Sequence, residues 1–158
     1  LAAEIYANMK KDGYKVELVR EFAKELVWEG REIGPFDQMA IIGEQIRREA
    51  SLFGKVDYLV SDSPALLGAF YMAYNHNQDF MTEMVKKYLS FADDQGVIFK
   101  NYLLTSVRPY ERNGRIENQV QAEVLRSNLV EYMSENGIFY ENYDNLDQIL
   151  YKDQSLAW

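Results

Sequence analysis

"VDYLVSDSPALLGAFYMAYN", residues 56–75, is the stretch that decides the fold class. Its first half, Val56 to Ser61, is a short, mostly apolar run. Such a run suits a strand buried on both faces of a parallel sheet. Asp62-Ser63-Pro64 interrupts it, and the apolar residues that follow are spaced for a helix. Ser63 suits an N-cap, and Pro64 suits a first helical position, where a missing N–H costs nothing. A strand that runs straight into a capped helix is half of a βαβ unit.

The flanking segments repeat this alternation. Upstream, "YKVELV" (14–19) reads as a strand and "REFAKELVWEG" (20–30) as a helix ending on Gly30. A loop containing Pro35 leads into a long helix that runs to Phe53. Ahead of all these, Leu1, Ala2, Ile5 and Met9 mark a helix that stops at Asp12-Gly13. Downstream, "DFMTEMVKKYLSFADDQG" (79–96) is a helix, with Asp93 and Asp94 at its end, and "VIFKNYLLTS" (97–106) is a strand. A polar, Arg-bearing loop follows, then a helix stopped by Asn136-Gly137 and a last strand, "IFYENY" (138–143). The tail, 144–158, takes no clear assignment. Alternating strands and helices predict an α/β fold: one domain over 1–158, with a parallel sheet covered by helices on both faces.

In such a sheet the first strand ordinarily precedes the first helix. Here a helix begins at Leu1, so the expectation is that a first strand belongs in front of it.

Composition narrows the function. The 158 residues are 47% hydrophobic and 14% aromatic, enough to fill one core. A net charge of −8 argues against a protein that wraps duplex nucleic acid, although a small basic site within an acidic shell remains open. There is no cysteine, which excludes disulfides, thiolate zinc sites and a cysteine nucleophile, and fits a reducing compartment. No apolar run approaches the ~20 residues of a membrane span. A soluble, cytoplasmic protein with no membrane partner is expected.

Ligands of open α/β sheets bind at the carboxyl ends of the strands. Those ends lead here into Arg20 and Glu21, into Asp62, and into Arg108, Arg112 and Arg115. Each has an ordinary reading. Asp62 could cap the next helix, Glu21 could complement a helix dipole, and the arginines could line a solvated loop. Two carboxylates and several guanidiniums around one rim would also suit Mg²⁺ and a polyphosphate. His76, the only histidine, falls in a helix-joining loop, where structural roles outnumber catalytic ones. The aromatic and Met-rich stretch 70–84 reads as packing that could also border an acceptor pocket.

"VELVREFAKELVWEGREI", "FDQMAIIGEQIRREA" and "VDYLVSDSPALL" together resemble P-loop kinases of the ribosylnicotinamide-kinase type, and still more the related ATPase/kinase domains common in phage genomes. In that group a strand ends in Glu before a helix, a long helix carries a Gln and a Glu as in "EQIRRE", and a later strand ends in Asp. The stretch from Arg108 to Tyr140 is similar to the family's lid, and the resemblance extends from Leu1 to about Tyr143.

It implies a three-layer P-loop fold, with a lid at about 107–118, whose first strand and G-x-x-x-x-G-K-[ST] loop stand before Leu1. It implies ATP and Mg²⁺ as cofactors, and phosphoryl transfer to a nucleoside, a nucleotide or a modified base in phage DNA, in a bacterial or phage-infected cytoplasm. Asp62 would hold the metal and Glu21 would act as base or anchor for the acceptor hydroxyl. Arg115 and Arg112 would stabilise the transferring phosphoryl group. Arg108, Tyr110, Gly114 and Arg115 would contact the nucleotide. Pro64 stands where the ribosylnicotinamide kinases carry a second acidic residue, which leaves the acceptor open. The alternatives are a P-loop ATPase coupled to a partner and a non-catalytic nucleotide-binding domain.

Overall fold

A computed structural model of the chain describes residues 2–77, 79–104 and 119–143. The described residues form a mixed α/β structure of six helices and two parallel two-stranded sheets. In chain order these are α1 (Ala2–Lys11), β1 (Val16–Val19), α2 (Phe22–Trp28), α3 (Pro35–Ala50), β2 (Tyr58–Ser61), α4 (Ala65–His76), α5 (Phe80–Asp93), β3 (Tyr102–Leu104), α6 (Gln119–Glu135) and β4 (Glu141–Tyr143). The described residues divide into two compact units, one over 2–99 and the other over 100–104 and 119–143. No described helix is long and apolar enough to cross a membrane.

Helix ends follow local chemistry. Gly13 sits at φ +87°, and beyond it the Tyr14 amide reaches back to the Met9 carbonyl at 3.0 Å. A residue with a Cβ is strained in that left-handed region, so glycine makes the stop cheap. The helices that end before Gly30, Gly96 and Gly137 close with the same backward hydrogen bond, from Arg31 to Leu26, Val97 to Ala92 and Ile138 to Met133. At the start of α3, Pro35 is the first helical residue, and the Asp37 carboxylate accepts a hydrogen bond from the Gly34 amide at 3.3 Å.

In the larger unit β1 and β2 pair in parallel, Val16 opposite Tyr58 and Val19 opposite Ser61. Val16 and Val19 are buried, whereas all four residues of β2 are half-buried. The expectation of a strand covered on both faces is therefore not met over Tyr58–Ser61. The core lies instead mainly in the helices, with Ile42 of α3, Ala69, Phe70 and Met72 of α4, and Val85 of α5 all buried. Phe70 and Met72 confirm the packing role expected of the aromatic stretch, while Tyr74, Phe80 and Met84 stand exposed.

In the smaller unit β3 and β4 pair in parallel, Tyr102 opposite Glu141. Both are shorter than their apolar runs suggest. The Glu141 amide donates to the Asn101 carbonyl, and the Asn101 side-chain amide donates to the Phe139 carbonyl at 3.0 Å. These bonds close the start of the ladder, and residues 97–101 and 138–140 lie outside it.

Candidate functional site

The carboxyl edge of the β1–β2 ladder carries the two acidic residues singled out in the sequence. Glu21 follows β1 as the N-cap of α2, in extended backbone at φ −62° and ψ 116°. Asp62 follows β2 directly and is exposed. Because Val19 pairs with Ser61, both residues leave the ladder at the same end, on strands about 4.8 Å apart. Arg108, Tyr110, Arg112, Gly114 and Arg115, the lid at 107–118 and the tail 144–158 lie outside the described residues.

The turn after β2 differs from its expected form. Pro64, not Ser63, is the N-cap of α4, at ψ 159°, and no local side chain caps the helix. The cap comes from far away in the chain. The Ala65 amide, first in the helix, donates to the carboxylate of Glu49 near the end of α3. An acidic group at a helix N-terminus is favoured by the partial positive charge there. A distant carboxylate thus does what Ser63 was expected to do.

Glu49 is 3% exposed and its oxygens are well supplied with donors. The Tyr88 hydroxyl donates to Oε2 at 2.8 Å and the Gln45 side-chain amide to Oε1 at 3.3 Å. The same Gln45 nitrogen lies 3.2 Å from the Ser61 hydroxyl oxygen. Burial pushes the Glu49 carboxyl above its ordinary value, and the bonds from Tyr88, Gln45 and the Ala65 amide offset part of that shift. Tyr88 is pushed up as well, first by burial and then by the neighbouring Glu49 charge. Its ring stacks on Phe53 and meets Phe99 edge-on.

One position earlier, Arg48 faces the other strand end. Its guanidinium donates to Glu44 at 2.8 Å and to both oxygens of Glu25, at 3.2 and 3.4 Å. It lies 4.9 Å from the centre of the Phe22 ring, a cation–π distance, and reaches toward the Arg20 carbonyl. Glu44 is held at about 2, first by Arg47 and then by Arg48.

Sequence reading placed no function on Gln45, Arg48, Glu49 or Tyr88. A signal was nevertheless present: Gln38, Gln45 and Glu49 share the helical stripe of Ile42, and a polar residue on an apolar stripe needs a partner. His76, expected in a loop, is the last residue of α4.

Comparison with models of protein families, with curated proteins and with solved structures finds no match to this chain.

Among the described residues, no three acidic or histidine side chains come together as a metal cage. Mg²⁺ keeps most of its waters and typically takes one or two carboxylates plus substrate phosphates, so an exposed Asp62, at the same strand edge as Glu21, is a donor type that fits it.

Proposed function

We propose that this protein is an ATP-dependent phosphotransferase of the P-loop kinase class, acting on a nucleoside, a nucleotide or a related small acceptor. The observation that carries this reading is the parallel register of β1 and β2, because it brings Glu21 and Asp62 to one strand edge. In open α/β sheets that edge is where phosphorylated ligands bind.

In this reading the fold is of the three-layer P-loop type. Asp62 holds Mg²⁺, which when bound neutralises charge on the transferring phosphate. Glu21 orients the acceptor hydroxyl and takes its proton. The roles expected of Arg115 and Arg112 are stabilisation of the transferring phosphoryl group, and those of Arg108, Tyr110, Gly114 and Arg115 are contacts to the nucleotide. Such chemistry asks mainly for positioning and charge stabilisation. The reading also demands a phosphate cradle of the P-loop type, so intact mass and N-terminal sequencing of the natural protein come first.

The test is phosphoryl transfer from ATP to a panel of nucleosides and nucleotides, using the full natural protein. Asp62→Asn is expected to abolish transfer, and Arg115→Ala to slow it by ~10²–10³-fold with folding preserved. Near-normal transfer in both variants would overturn the assignment. ATP hydrolysis that no acceptor alters would favour the coupled ATPase instead.

A further inference from the structure

Both carboxylates stand just past the end of their backbone ladder. The last paired residues are Val19 and Ser61, so the chain around Glu21 and around Asp62 has left the hydrogen bonding that aligns the strands. Two consecutive residues of α3 reach the chain on either side of each carboxylate.

We infer that Arg48 and Glu49, consecutive residues of α3, are the positioning residues that set the placement of Glu21 relative to Asp62. The catalytic consequence rests on the phosphotransferase reading; the positioning itself does not. Arg48 grips the first loop on both sides of Glu21. It pairs with Glu25 and packs on Phe22 ahead, and it reaches toward the Arg20 carbonyl behind. Glu44, one turn back on α3, holds the guanidinium in place. Glu49 grips the second loop on both sides of Asp62. It accepts from the Ala65 amide beyond, and through Gln45 it is tied to the Ser61 hydroxyl before. Tyr88 of α5 braces Glu49 from behind.

Neighbouring residues of a helix are held about 1.5 Å apart along its axis and about 100° apart around it. Two loops tied to such a pair share one rigid reference. The spacing between the carboxylates then follows from two consecutive helical residues, with no long chain of independent contacts. A displacement of about 1 Å in such a site can cost ~10²-fold in rate, which gives the arrangement its value.

The test uses the full natural protein and the variants Arg48→Lys, Glu49→Gln and Tyr88→Phe, with Arg47→Lys as control. Lys keeps the charge of Arg48 but loses the planar fork and the ring contact. Gln puts donors opposite the donors that Glu49 now accepts. Amide hydrogen exchange is read over 20–25 and 61–67, alongside kcat and KM. Arg48→Lys is expected to speed exchange about tenfold over 20–25 and to spare 61–67; Glu49→Gln and Tyr88→Phe are expected to do the reverse. All three should lower kcat by ~10–100-fold while KM for ATP stays within about twofold, and Arg47→Lys should change neither.

Exchange that rises uniformly in the three variants, or that matches Arg47→Lys in both segments, would overturn the inference. Should Glu49→Gln fail to fold, Tyr88→Phe and Arg48→Lys decide between the two outcomes. If the parent protein transfers no phosphate, the phosphotransferase reading fails, and the exchange pattern still decides the positioning.

Discussion

At Gly68 the backbone of α4 lies so close to α3 that a methyl group placed there would stand 2.6 Å from Cγ1 of Ile42. Gln38 donates to the Gly68 carbonyl at 3.2 Å across the same contact. Alanine would ordinarily help a helix by up to about 1 kcal/mol. The clash outweighs that gain, so Gly68→Ala is expected to destabilise the protein by ~1–3 kcal/mol in urea unfolding. Combined with Ile42→Ala it should cost less than the sum of the two single changes, because each vacates space the other needs. Two glutamates five positions apart on α3 titrate with opposite effect. The Glu44 carboxyl is depressed from 4.5 to about 2, so the stability it contributes is complete above 4.5 and is lost as pH falls toward 2. The margin of the parent over Glu44→Gln in thermal unfolding should close across that window. Glu49 is raised by burial, so the folded protein holds its proton more tightly than the unfolded chain does. Relative to Glu49→Gln, the parent should lose stability as pH rises from about 4.5. Glu21 and Asp62 were legible as strand-end residues because a carboxylate next to an apolar run shows in the residues alone. Glu49 was not, since two of its three partners, Ala65 and Tyr88, stand 16 and 39 residues away in the chain.

Among the helices, the stops were the most legible features. Gly13, Gly30, Gly96 and Gly137 follow the helices they end, because a helix terminus is decided within about five residues. Helix α4 ends differently, on Asn77 at φ 50°, one of the few side chains that tolerate the left-handed region. Asn77→Gly should leave stability unchanged or slightly raised, whereas Asn77→Val should lose ~1–2 kcal/mol, measured by denaturant unfolding. Strand lengths were less legible. "VIFKNYLLTS" reads as one long strand, yet in the described part only Tyr102–Leu104 pairs, because a strand extends only as far as its partner does. The start of α4 was misread for a related reason. Ser63 is a good cap by composition, but Glu49 satisfies the Ala65 amide from α3. A contact across the fold displaced a local one of the same chemistry.

Over the full chain, a net charge of −8 bears on which acceptor the proposed phosphotransferase reading favours. A protein that engages duplex DNA through several phosphates needs clustered cations and shows a steep salt dependence. Offered a nucleoside and duplex DNA together with ATP, the protein is expected to phosphorylate the nucleoside and leave the duplex unlabelled at 150 mM salt. Labelled duplex would place a modified base in DNA first among acceptors.

The order of helices and strands and the strand-end position of Glu21 and Asp62 follow from periodicity and punctuation within short windows. Three things do not: the closeness of α3 and α4 at Gly68, the capping of α4 by Glu49, and the bracing of Glu49 by Tyr88. Each is a contact between segments distant in the chain, and hydrophobic burial chooses it by the shape of the surfaces brought together. A short window carries the preference of a residue for a conformation. It carries no account of which distant polar group will fill the gap that packing leaves.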